Sequence, residues 1–278
     1  MRELKDILNQ IGDFHFQSDT DKVDFIGTLV SKDNHVIIQA RIEKKNLDCI
    51  EQKTPFQIWG EVSGINVTFL NNYIITTSYY THSDYVEIAA EPSEIVIGRS
   101  YDSDIFVTNI SASIVALNNM FSDRVFHENV SFSKENPTIL SFAYPKCLET
   151  QDANGTLRLY QSFSHGWTRH GIEYKYLPYI DYMFSKPIRI RDAIAKIACV
   201  RNLLSFFADY YLPLENLSFA DERTDYAKKI PGYCDCKLYL NHREDIEVSE
   251  EPFLIMTNKF SENFSEIWAN WLKFYTNS

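Results

Sequence analysis

The residues best suited to chemistry lie between positions 156 and 212, where Trp167, Arg169, His170, Tyr174 and Lys175 are followed by Arg189, Arg191, Lys196 and Arg201. Aromatic faces stack on unpaired bases while guanidinium and ammonium groups meet phosphates, so this mixture suits a surface that holds single-stranded RNA without reading its sequence. The competing reading is structural. Alternating aromatics in strands usually pack a core, and arginines along a helix usually form a solvated face. On a strand, Trp167 and Arg169 share one parity and Tyr174 and Tyr176 another, so one of these pairs is a candidate for burial.

Two further constellations carry chemistry by residue type. Arg158 and His165 are seven positions apart, and on a helix such a pair lies two turns along one face, about 10 Å apart, able to converge on one phosphate. The intervening Leu157-Arg-Leu-Tyr-Gln-Ser-Phe alternates as a strand instead. A strand separates the pair by roughly 23 Å and, at odd spacing, sends the two to opposite faces. Cys234 and Cys236, with His242 beyond them, offer soft ligands on one side of a strand, but structural zinc sites use wider cysteine spacing and a fourth ligand is missing. No nucleophile elbow, phosphate-binding glycine loop or metalloprotease helix motif occurs, and the seven histidines are dispersed. No cofactor is implied.

The chain carries a net charge of −11. Segment 156–212 is locally basic and both flanks are acidic, so RNA contact is confined to a patch, because phosphate neutralisation drives such binding. Apolar content of 45 % with 14 % aromatics excludes general disorder. The N-terminal residues lack the apolar core of a secretory signal, and no apolar run is long enough to span a bilayer, so a cytoplasmic location without membrane contact is expected. Five scattered cysteines are not a disulfide framework.

Elements that must position these residues follow from periodicity. Strand-like runs start at Val23, His35, Phe56, Ile65, Ile74, Ser93 and Ile105, with a turn at Lys32-Asp33-Asn34 and a short helical turn at Ala116 to Phe121. A second set comprises Val130-Ser-Phe, Thr138 to Phe142, Leu157 to Phe163 and Ile172 to Tyr176, with Glu149 to Gly155 as a hairpin loop. A long helix over about 188–211 starts near Ser185 to Pro187 and carries Ile190, Ile194, Ile197, Val200, Leu204, Phe207 and Tyr211 at steps of three and four, with Asp192 and Lys196 paired on its other face. Strands near Leu217 and Cys236, an acidic loop from Arg243 to Glu251 and a helix over about 262–275 complete the chain. The expected class is α+β, mainly β. An antiparallel sandwich or open-barrel front over 1–122 is followed by a second strand set with the two helices over 123–278.

Three pieces in order carry a family resemblance. They are Gly27-Thr-Leu, the pair from Trp59-Gly-Glu-Val through Phe69-Leu, and Glu94-Ile-Val-Ile-Gly-Arg-Ser-Tyr running through Asp104-Ile-Phe-Val to Leu117-Asn-Asn-Met-Phe121. This order resembles the N-terminal domain of ApeA-type anti-phage abortive-infection proteins, which join a β-rich domain to a C-terminal HEPN ribonuclease domain. Phe121 stands where the family commonly has Trp. The HEPN signature of Arg, four to six residues, then His on a helix is missing, and the chain stops at Ser278, which points to a fragment of a longer protein or a short product acting with a separate effector. The resemblance implies a non-catalytic sensor or recognition domain. Its implied partners are a HEPN effector on the same or another chain, a phage protein trigger, RNA such as tRNA, and a second copy of itself. Two alternatives stand beside it: a stand-alone RNase using Arg158 and His165, and a carbohydrate- or small-ligand-binding β-domain using Tyr79, Tyr80 and Tyr85.

Overall fold

The structure is a computed structural model that describes residues 3–17, 22–33, 35–47, 50, 55–114, 132–133, 136–137, 147–168, 171–208, 211–224, 234–241 and 258–276. In chain order the strands are β1 (Ile11–Gln17), β2 (Lys22–Lys32), β3 (His35–Glu43), β4 (Phe56–Val62), β5 (Ile65–Tyr79), β6 (Tyr85–Glu91), β7 (Glu94–Ile97) and β8 (Phe106–Ser113). There follow β9 (Phe132–Ser133), β10 (Asn136–Pro137), β11 (Leu148–Asp152), β12 (Gly155–Thr168), β13 (Gly171–Arg189), β14 (Glu215–Asp221) and β15 (Cys236–Leu240). Two long helices among the described residues, α1 (Ile190–Ala208) and α2 (Asn258–Thr276), accompany them. The class is α+β and mainly β, as the periodicities indicate.

Residues group into two compact units, one of 1–107 with 216–246 and one of 108–215 with 247–278. In the first, β5, β4, β1, β2, β3 and β6 pair in that order, all antiparallel, and β6 returns to β5. The result is a closed barrel, where the sequence suggests a sandwich or an open one. Phe14, Phe16, Phe25, Leu29, Ile38, Ile58, Phe69 and Val86 fill it, and Phe14 packs its ring edge-on against Phe69 with centroids 5.7 Å apart. Closure depends on β5. Its first half pairs with β4 on one side and β7 on the other, and its second half pairs with β6.

The sequence divides β5 into two runs around Asn71-Asn72, whereas the structure keeps one strand of 15 residues. Asn71 adopts φ 51°, a conformation asparagine tolerates better than most residues. The buried Asn72 amide then donates to the carbonyls of Phe56 (2.9 Å) and Phe69 (2.8 Å), satisfying acceptors where the ladder changes partner. Ser63 and Gly64, both at positive φ, make the tight link from β4 to β5. β7, β15 and β14 extend from the first half of β5. Asn241 ties this extension to the barrel, accepting from the Val36 N–H at 2.7 Å and donating to the Val36 and Pro92 carbonyls.

In the second unit β11, β12, β13 and β8 are neighbours in that order, and β9 pairs with β10. β11 turns into β12 at Asp152 and Gly155, so the expected loop over 149–155 is mostly strand. β13 runs through Ser185, Lys186 and Pro187 before α1 begins at Ile190, two residues later than periodicity suggests. The helix buries Ile190, Ala193, Ile197, Val200, Leu204 and Ala208 at steps of three and four. Tyr211 falls beyond its end and is exposed. On α2, Phe264 and Trp268 are buried. The expected helical turn at 116–121, the Thr138 run and the acidic loop over 243–251 lie outside the described residues. Among the described residues no helix is long and apolar enough to cross a membrane.

Barrel closure makes a test at Gly60, which faces Phe14 across β4 and β1. A Cβ there would lie 2.1 Å from the Asp13 carbonyl oxygen. Gly60→Ala is expected to cost about 1–3 kcal/mol by forcing the strands apart, read from urea denaturation of the purified chain.

Candidate functional site

The register of five barrel strands places two rows of side chains on the face opposite the core. One row runs Ile11, Thr28, Gln39, Ala89 and Thr76 across β1, β2, β3, β6 and β5. The next runs Ile26, Arg41, Glu87 and Ser78. All nine line a groove of about 460 Å³, within the range of ligand pockets. Its β1–β2 end is apolar, with Ile11 68 % and Ile26 62 % exposed. Arg41 and Glu87 face each other in its middle. They are held by different neighbours: the Arg41 guanidinium lies 5.1 Å from the Tyr85 ring centre and donates to Ser83 Oγ at 3.5 Å, while Glu87 accepts from the Tyr80 hydroxyl at 2.7 Å. That hydrogen bond raises the Tyr80 pKa.

Tyr79, Tyr80 and Tyr85, the candidate sugar platform, flank the β5–β6 turn and are exposed. None of them lines the groove. Tyr79 pairs with the buried Val86 and so belongs to the core side of the sheet, and Tyr85 already carries Arg41. Periodicity shows β2, β3 and β5 but not β1 or β6, and only the register brings the rows together.

A second concentration of charge in the same unit joins the segment after β7 to β14 and β15. Arg99 donates to Asp221 and Asp235, and Arg223 donates to Asp221 at 2.9 Å. Tyr101 adds its hydroxyl to Asp221 at 2.8 Å, with the Arg223 guanidinium 4.3 Å from its ring centre. Asp221 is 3 % exposed. Burial pushes its carboxyl pKa up, but the hydrogen bonds from Tyr101, Arg223 and Arg99 outweigh this and hold it below the usual range. Desolvation pushes the Cys236 thiol, 3.7 Å from the Tyr101 hydroxyl, up to about 12. Cys234 is also buried, and His242 lies outside the described residues. Each acid here is met by donors within the cluster, the pattern of a structural network rather than of a poised acid–base pair.

Among the basic candidates of the second unit, Lys196 and Arg201 are engaged by partners of their own. Trp167, Tyr174 and Lys175 lie on the β12–β13 hairpin, with Trp167 opposite Ile172 and His165 opposite Tyr174 in register, while Arg169 and His170 lie outside the described residues. Arg189 and Arg191 are exposed where β13 gives way to α1. Arg201 instead donates to Tyr211 and Asn202. Lys196 is bound to Asp152 at 2.9 Å, with its ammonium 4.9 Å from the Tyr182 ring centre and 5.0 Å from that of Trp268. The i,i+4 pairing expected with Asp192 is thus replaced by a contact to another element. Asp152 also accepts from the Tyr182 hydroxyl (2.5 Å) and the Trp268 indole (3.0 Å). Burial raises its pKa, and the bonds from Tyr182 and Lys196 outweigh it to leave the carboxyl below the usual range. Arg158 sits on a strand opposite the fully buried Asp181 and pairs with Glu149 at 2.7 Å.

A family model described as ApeA N-terminal domain 1 matches residues 10–271. The chain belongs to that family. The match takes in the barrel, the charged network, the β12–β13 hairpin and α1, including all three pieces on which the resemblance rests, so the domain of this family contains both compact units. No curated protein and no solved structure matches the chain. The Phe121 departure lies outside the described residues.

Both lowered carboxylates give a defined acid response. Asp221 and Asp152 have folded pKa values below those of the unfolded chain, so their stabilisation is complete above about pH 4 and is lost as pH falls through the folded values. Melting temperature is expected to drop on acidification from neutral pH. Asp221→Asn is expected to flatten that drop, and Asp221→Ala to cost about 3–5 kcal/mol at neutral pH by leaving Arg99 and Arg223 without their shared partner.

Proposed function

We propose that this chain is the recognition part of an anti-phage defence protein, sensing a trigger while RNA cleavage belongs to a HEPN effector domain on the same or another chain. Membership of the ApeA N-terminal domain 1 family carries this reading. The groove supports it, because a ligand-sized concavity lined by an arginine and a glutamate suits binding, and the charged network elsewhere in that unit is consumed by its own partners. The stand-alone nuclease is the weaker reading. Arg158 is engaged with Glu149, and β12 carries His165 seven residues further along an extended strand, roughly 23 Å away.

RNA contact belongs to the proposal as a secondary role. Arg191, exposed at the start of α1, is placed where a phosphate can reach it. Action in the cytoplasm fits a sensor of intracellular infection.

The test is phage challenge of cells expressing this chain together with a HEPN effector. Protection is expected to require the chain and to survive His165→Ala, and the purified chain is expected to leave labelled tRNA intact. Cleavage of tRNA by the purified chain that His165→Ala abolishes would overturn the reading. Arg191→Glu is expected to weaken tRNA retention at low salt about threefold or more, by filter binding.

A further inference from the structure

We propose that the outer groove of the barrel binds an extended peptide segment bearing a bulky apolar side chain followed, within a few residues, by an acidic one. This rests on the recognition reading and names the chemistry of what is recognised. The two rows span five strands, a length of about 19 Å, which an extended peptide of five or six residues fills. Ile11 and Ile26 form its apolar end and are too exposed to serve the core. Arg41 stands next along the row, steadied on Tyr85, and its weak contact to Ser83 leaves most of its donors for a carboxylate. Glu87, anchored by Tyr80, keeps acceptor capacity for a peptide N–H.

Other occupants fit less well. A polyanion such as RNA would meet the Glu87 carboxylate and two isoleucines, and a single arginine supplies little phosphate attraction. A sugar needs an aromatic platform facing it, and the three tyrosines are placed elsewhere: Tyr79 on the core side, Tyr80 bound to Glu87 and Tyr85 under Arg41. Nor can a peptide enter by adding a strand, since each of the six barrel strands is already paired on both sides. Recognition therefore falls to side chains.

The experiment is panning of a displayed library of linear peptides, about twelve residues long, on the purified full chain, followed by fluorescence titration of enriched sequences. Enriched peptides are expected to share the apolar-then-acidic pattern and to lose affinity about tenfold or more with Ile26→Glu and with Arg41→Glu. Replacing the acidic residue of the peptide by lysine should restore binding to Arg41→Glu. Thr76→Arg, which fills the far end of the groove, should weaken binding too, with unchanged melting temperature confirming that each variant folds. No enrichment over the bare support, binding that Ile26→Glu leaves unchanged, or displacement by oligouridylate or a maltooligosaccharide would overturn the proposal. Panning needs no effector, so its failure alongside intact phage protection sinks the groove assignment alone, whereas protection that does not require the chain sinks the recognition reading.

Discussion

Strand β5 is the constraint on which the rest of the first unit depends. Its first half is held by β4 and β7 and its second half by β6, so one continuous segment both closes the barrel and anchors the β7–β15–β14 extension. Because side chains alternate along a strand, the register set by that closure decides which residues point inward and which form the outer rows. A slip of one residue would bury Arg41 and Glu87 and expose Ile38 and Ile88. The large core from Phe14 to Ile97 makes such a slip prohibitive, and the groove inherits its geometry from the packing behind it.

The two units solve the problem of burying polar groups in the same way. In one, Asp221 gathers Arg99, Tyr101 and Arg223. In the other, Asp152 gathers Tyr182, Lys196 and Trp268. Each carboxylate sits at the end of a strand and ties together segments distant in sequence, which suits a chain whose strands are mostly joined by local hairpins. Such networks are strongly destabilising to break and only modestly stabilising to possess. What they contribute is a definite arrangement of the joined elements.

Much of the fold was legible in the sequence, because alternation and turn chemistry mark most strands and the three-and-four spacing marks both helices. The failures have physical causes. Asn71-Asn72 is turn chemistry, yet the Asn72 amide satisfies the carbonyls that a turn would have freed, and the strand continues. β1 and β6 are short and polar on alternate positions, and β6 follows a tyrosine-rich turn, so neither stands out until its neighbours are known. Closure is a pairing between β6 and β5, a long-range fact that periodicity does not encode. The groove was invisible for the same reason: its lining comes from five strands, three positions or fewer from each. In the basic and aromatic segment, conspicuous in one dimension, Lys196 and Arg201 are drawn into contacts of their own that spacing does not reveal.

The cation at Lys196 has one more implication. Its ammonium lies between the rings of Tyr182 and Trp268 and against one carboxylate that also receives the indole N–H. Lifting α2 away would strip the lysine of an aromatic wall and the acid of a donor in the same motion, so these contacts are lost together. Any pull on α2 is thereby felt at Asp152, at the turn between β11 and β12.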